Sequence, residues 1–371
     1  MDKYDFKDGV LSFYRKGRKA RLYFLQDDQF VLSEEGQEPI DLYNETPALK
    51  DGRLIISGEG ELFERKRVQI QIKEDGMLRV HFDGQVVLDE LSYFSEFDKE
   101  ACPELASKGS TVRPIDDFPV KDGFAFVSNK PIYGLGDKPG PLDKRGYSFV
   151  NWNTDNPYPH TDTDKSLYKS IPFFVFFSPG HCVGLFVHNT SKTRFDFNKT
   201  AFDQVRVETS EGNTKLYFFL GSFESVVRSY SKFVGVGTLP RWALGAQQSR
   251  WSYADKASVT AVINGYREAD IPLSVIYLDI DYMDSFKDFT ISEERFPDMK
   301  GFIEDSLTKG IHLVPIIDAG VKVEEGYSLY ENLKNLDGFC KENGEIYHNE
   351  VWPGDSVFPA FLKPSDRKSV V

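Results

Sequence analysis

The feature that most constrains this chain is a change of rhythm at Phe233-Val-Gly-Val-Gly-Thr-Leu-Pro240, where glycines and a proline release the backbone. Upstream, short apolar or alternating runs recur between turn signals: Leu22 to Leu25, Arg53 to Ser57, Val68 to Ile72, Leu78 to Phe82, Phe124 to Val127 and Val183 to Val187. Glu74-Asp-Gly76, Asp83-Gly84 and Lys121-Asp-Gly123 supply the turn chemistry between strands. Val68 to Ile72 and Leu78 to Phe82 alternate, one face in and one face out. Val175 to Phe177 and Leu216 to Leu220 are apolar on both faces, as inner strands are. The first helical pattern is Phe223 to Phe233. Residues 1–236 therefore read as a β-sandwich.

Downstream, strands alternate with helices. A strand is predicted over Ala243 to Gln248, then a helix opening near Asp255 with Val259, Val262, Ile263 and Tyr266 on one face. Leu273 to Asp279 is the second strand. A helix after Pro297 follows, with Met299, Phe302, Ile303 and Leu307 along one side and Gly310 as its stop. Ile311 to Asp318 is the third strand. This β-α-β-α-β order implies parallel strands with right-handed crossovers. A closed (β/α)8 barrel takes about 250 residues, and the stretch 237–371 is far shorter. The expectation is a truncated TIM barrel, about its first three strands, with one more helical pattern and the Trp352-Pro-Gly354 loop beyond.

Composition excludes some partners. The net charge of −13 argues against nucleic acid and against anionic membranes. No stretch is long and apolar enough to span a bilayer, and Met1 to Asp5 holds no apolar run. Cys102, Cys182 and Cys340 are far apart and lack metal-ligand spacing, so no metal or cofactor is expected. Sparse cysteines and the absence of a signal peptide make a cytoplasmic location the expectation. The 31 Phe and 18 Tyr suit a large sandwich core, and they also suit clefts in which aromatic faces stack on sugar rings.

The candidate chemistry lies where strands end. Asp279, Asp281 and Asp318 follow or close predicted parallel strands, and strand C-termini converge on one mouth. A carboxylate inside the apolar run Val275 to Met283 needs partners or a hydroxyl-rich ligand. Two residues apart on a strand, Asp279 and Asp281 would share a face.

Eight segments occur in one order: Tyr133-Gly-Leu-Gly-Asp-Lys138, Lys144-Arg-Gly-Tyr147, Asn151-Trp-Asn-Thr-Asp155, Ser170-Ile-Pro-Phe-Phe174, Leu239-Pro-Arg-Trp242, Leu278-Asp-Ile-Asp-Tyr-Met283, Ile316-Ile-Asp318 and Val351-Trp-Pro-Gly354. Together they resemble glycoside hydrolase family 31, the α-glucosidase and α-xylosidase family, from about residue 130 onward. The resemblance implies a galactose mutarotase-like β-sandwich followed by a (β/α)8 catalytic barrel. It implies that Asp279 grips hydroxyls of the −1 sugar with Ile280 beside it, and that Asp155 reaches toward the +1 sugar. Trp251 aligns with a +1 platform, Val321 and Trp352 with apolar walls of the −1 pocket, and Asp318 with a carboxylate near its floor.

Retaining hydrolysis needs a nucleophile and an acid/base about 5–5.5 Å apart. In the resembled family the nucleophilic Asp lies in a W-x-D-M-type motif. Trp152, Trp242, Trp251 and Trp352 carry none, and Asp298-Met299 opens a helix. Both catalytic groups are expected beyond Val371, and the chain alone is expected to be inactive. The implied substrate is an oligosaccharide or small α-glucoside cut at its non-reducing end. A non-catalytic carbohydrate-binding protein and an α-xylosidase-type specificity are the alternatives.

Overall fold

The computed structural model describes residues 4–15, 18–34, 53–57, 60–73, 76–95, 120–154, 156, 158–211 and 214–361. Asp155, Cys102 and the Glu74-Asp75 half of one expected turn lie outside the described residues. The chain divides into two compact units, Met1–Val236 and Gly237–Val371.

In the first unit an eight-stranded and a nine-stranded sheet are formed, and the strand neighbours within each are antiparallel. Alternation does the sorting. In Val68–Ile72 the burial pattern puts Val68, Ile70 and Ile72 inward, and the polar glutamines between them stay half-exposed. The inward faces share one core in which rings of opposite sheets meet: Phe174 lies 4.9 Å from Phe197, and Phe126 lies 5.9 Å from Phe176. Each such buried side chain contributes about 1.5–3 kcal/mol. At the expected Asp83-Gly84 turn both residues take positive φ, 51° and 75°, which suits the right-handed twist of the hairpin it closes.

The two-sided apolar strands have a physical explanation. Phe173–Phe176 and Lys215–Gly221 present their second faces to the helix Phe223–Val234, and Phe173, Phe186, Tyr217 and Phe219 pack with its Val226, Tyr230 and Phe233. Phe173 and Tyr230 stack with ring centres 3.7 Å apart. Ser222 caps this helix by accepting from Ser225 N, and Gly235, at φ 83°, ends it.

The expected turn at Lys121-Asp-Gly123 is instead the start of a strand. Asp122–Val127 pairs on both edges, with Gln204–Thr209 and Gln85–Ser95, and Arg18 holds the Asp122 carboxylate at 3.1 Å. Two ladders outweigh a local turn preference.

The second unit holds a three-stranded parallel sheet, Gln247–Gln248, Val275–Leu278 and His312–Pro315, with helices Lys256–Glu268 and Met299–Thr308 in the crossovers. Every strand is shorter than predicted. Over the first, Arg241–Leu244 forms a 3₁₀ turn closed by Gly245 N to Trp242 O, so Ala243 and Leu244 are not strand residues. The second stops at Leu278 because Asp279 caps a 3₁₀ turn, Ile280–Tyr282. Asp279 and Asp281 are therefore not alternate residues of one strand.

The helix Met299–Thr308 buries Met299, Phe302 and Ser306, whereas Ile303 and Leu307 are exposed. The first helix behaves as its periodicity predicts, with Val259 and Ile263 fully buried over Ile276 and Leu278. A further helix, Ser328–Asn335, packs Leu333 against Val321, Tyr327, Phe339 and Val357 in a separate small core. Next to it, His348–Val351 and Gly354–Val357 form a hairpin turning at Trp352.

Candidate sugar-binding site at the strand ends

Parallel register places three of the sequence-predicted residues on one edge of the sheet. Trp251 follows Gln247–Gln248, Asp279 follows Val275–Leu278, and Asp318 follows His312–Pro315. The strands pair Gln248 with Ile276 and Leu278 with Pro315, and Ile316 N continues the ladder to Leu278 O at 2.9 Å. All three residues thus leave the sheet at its C-terminal edge, where α/β proteins bind ligands.

The carboxylates differ sharply in how they are satisfied. Asp281 accepts from Arg295 Nη1 at 3.2 Å, and the same guanidinium donates to Met283 O at 2.7 Å. Asp281 is therefore an ion-pair member that shapes the turn. Asp279 is half-buried, and among the described residues its Oδ1 accepts only the amide of Ile280, at 2.7 Å. Among the described residues no cation pairs with Asp279 or Asp318. Burial pushes the Asp318 carboxyl above the usual carboxylate range, and the nearby charge of Asp279 adds to it. Two half-buried carboxylates within electrostatic reach and without cations call for hydroxyl or cationic donors.

Ile280 and Val321 are buried, at 6% and 2% exposure, in the barrel-side core and the small core respectively. Both side chains pack within those clusters. Trp251 and Trp352 are the reverse, 73% and 67% exposed, and neither ring stacks on another among the described residues. Exposed indoles at a strand end and at a hairpin tip are available as platforms; core filling does not explain them. Asp155 lies outside the described residues, although its neighbours Thr154 and Asn156 are described: Thr154 N donates to Leu167 O at 3.0 Å and Asn156 N to Tyr168 Oη at 3.2 Å. Among the described residues no group of His, Cys, Asp and Glu is arranged to hold a metal ion.

Sequence reasoning missed Asp288. Only 2% exposed, it accepts the amide of Asp318 on Oδ1 at 3.0 Å. Its own carbonyl accepts from Tyr327 Oη at 2.8 Å, and Tyr282 Oη donates to Ile316 O at 2.7 Å. Burial pushes the Asp288 carboxyl up to about 6, the Asp318 charge adding to the shift against the amide's opposing pull. Tyr282 is pushed up to about 12 by burial and by these two acids. Asp288 sits in an irregular loop, where no periodicity could mark it as buried.

Two family models match this chain: the glycosyl hydrolases family 31 TIM-barrel domain over residues 236–370, and the glycosyl hydrolase 31 N-terminal galactose mutarotase-like domain over residues 50–196. The chain belongs to glycoside hydrolase family 31. Its fold is the galactose mutarotase-like sandwich and the start of the family 31 barrel. Alpha-glucosidase 2 of Bacillus thermoamyloliquefaciens is 43% identical over 240 residues, which is 64% of this chain and 30% of that protein. The alpha-glucosidase of Saccharolobus solfataricus is 32% identical over 240 residues, covering 64% of this chain and 34% of its own length. The chain thus spans about a third of the length of the curated relatives it matches. Among solved structures, a Flavobacterium johnsoniae family 31 dextranase complexed with glucose superposes with a TM-score of 0.77 at 20% identity, over 97% of this chain and 44% of the dextranase. A glucosidase II alpha subunit also gives 0.77, at 19% identity, over 99% of this chain and 48% of its own.

Proposed function

We propose that this chain supplies the sandwich and the first barrel strands of a retaining α-glucosidase-type enzyme, and that its strand ends bind the non-reducing-end glucose of an α-linked glucoside. The reading is carried by Asp279 and Asp318, two carboxylates just past adjacent strand ends that no cation among the described residues neutralises, in a family whose curated relatives are alpha-glucosidases. Charge-assisted hydrogen bonds from sugar hydroxyls satisfy such groups at roughly 1.5–3 kcal/mol each. Asp279 takes the −1 hydroxyls, and the exposed Trp251 and Trp352 serve as faces for sugar rings. Asp155 contacts the +1 sugar from its own loop.

The double displacement needs two further carboxylates. No Trp-x-Asp-Met motif occurs among these 371 residues, so they offer no candidate for the nucleophile. A cytoplasmic setting suits the free thiols of buried Cys182 and exposed Cys340.

The test is a titration of the chain with maltose, followed by the tryptophan fluorescence of Trp251 and Trp352. Saturable binding that Asp279→Asn weakens about tenfold is expected. Binding unaffected by Asp279→Asn but abolished at Asp281 would overturn the assignment.

A further inference from the structure

Asp288 has the burial of a core residue and the chemistry of an acid. Its loop, 279–291, is rolled tightly: Ser285, Phe286 and Phe289 all take positive φ, at 52°, 60° and 58°, and Lys287 N closes on Asp284 O at 3.0 Å. Left-handed backbone at non-glycine residues is strained and persists only where the surroundings enforce it. The enforcement is visible on either side. Ser292 N bonds to Tyr282 O at 2.8 Å, and Lys287 Nζ reaches Glu324 at 2.7 Å. What this folding achieves is to bring one carboxylate beneath the backbone of Asp318, thirty residues away in sequence.

We propose that Asp288 is a positioning residue of the sugar pocket: its buried carboxyl grips the amide of Asp318 and fixes that residue at the strand end beside Asp279. The proposal rests on the sugar-binding reading above and adds the residue that orders it. Two tyrosines complete the clamp. Tyr327 holds the Asp288 carbonyl, and Tyr282 holds the carbonyl of Ile316, so the segment 316–318 is fixed at two backbone points by side chains from other elements. The hydrogen bond from Asp318 goes to an acid that no Lys or Arg contacts among the described residues. Lys287, its neighbour in the chain, is turned to Glu324 and Asp284. The titratable groups facing Asp288 are Asp318, Tyr282 and Tyr327, with Asp279 beyond Asp318 and Glu324 beyond Tyr327. A bare acid in this position makes a hydrogen bond that reports its own protonation.

The test is nuclear magnetic resonance of the 371-residue chain, which follows the Asp318 amide through a pH series and through titration with D-glucose. The amide shift is expected to show an inflection near pH 6 in the wild type. Asp288→Asn keeps an oxygen acceptor, so the bond should persist and that inflection vanish. Any inflection left in Asp288→Asn comes from Asp318 itself. Asp288→Ala removes the acceptor and should weaken glucose binding about tenfold, whereas Asp288→Asn should weaken it less than threefold. Should the alanine variant fail to fold, the asparagine variant alone decides through the amide titration. A wild-type amide without the inflection, an inflection unchanged by Asp288→Asn, or glucose affinity equal in Asp288→Ala and wild type would overturn the proposal. A chain that keeps the amide titration but gives no glucose response sinks the sugar reading and leaves the Asp288–Asp318 clamp standing.

Discussion

Arg295 pairs with Asp281 and not with Asp279, although the two acids stand two residues apart: the guanidinium lies 3.2 Å from the Asp281 carboxylate. One acid is therefore committed to holding its turn, and the other has no cation partner among the described residues. The pair is partly buried, and Arg295 also bonds Met283 O. We expect Arg295→Met to lower unfolding stability by about 1–3 kcal/mol, read from urea denaturation monitored over the barrel-side unit. A change under a few tenths of a kcal/mol would show that the pair is ornamental.

Asp279 should behave oppositely. In an enzyme carrying this chain and a complete barrel, Asp279→Asn is expected to lower kcat/KM by about one to two decades with little loss of stability. Asp155→Asn should be milder, because its contact is assigned to the +1 side. Steady-state kinetics with maltose checks both. An unchanged kcat/KM at position 279 together with an essential Asp155 reverses the subsite assignment.

The 371-residue chain by itself should not hydrolyse an aryl α-glucoside above background, since it contains no Trp-x-Asp-Met motif. Steady turnover in a clean preparation, abolished by Asp279→Asn, would require a catalytic pair inside this sequence.

The pH dependence of stability has a defined sign. Asp288 titrates at about 6 in the folded chain, above its ordinary 3.8, so between those values the folded state holds the proton more tightly than the unfolded one. Its stabilising contribution is complete below about pH 4 and is lost as pH rises through about 6, by on the order of 2–3 kcal/mol. Unfolding free energies of wild type and Asp288→Asn, compared from pH 4 to 7, should diverge in that sense. Parallel curves would show that Asp288 titrates normally.

In the sandwich, Gly184 permits the close approach of the outer helix. A Cβ there would stand 2.5 Å from Val226 Cγ1 and 3.0 Å from Phe173 Cε2. Gly184→Ala should cost about 1–3 kcal/mol by lifting the helix Phe223–Val234 from its sheet. Thermal melting of the variant measures this, and a wild-type melting temperature would contradict it.

What the sequence determined by itself was periodicity and order. Alternation in Val68 to Ile72, the two-sided run at Leu216 to Leu220, and the i, i+3, i+4 spacing of Val259, Val262 and Ile263 each correspond to the burial the structure displays, and of the run Val175 to Phe177 the first two residues are buried in a strand while Phe177 lies half-buried past its end. Those signals are local: a side chain's face follows from its position in a repeating backbone, whatever lies opposite. The positions of Asp279 and Asp318 were legible for the same reason, since each follows a strand. The tertiary structure alone decided how the polar groups were shared out. Arg295 chose Asp281, Asp288 reached Asp318, and Val321 and Ile280 turned into cores while Trp251 and Trp352 stayed in solvent. The partners in these pairs come from irregular loops, which have no repeat to read. Their geometry is set by hydrogen bonds that exist only once strands distant in sequence lie side by side.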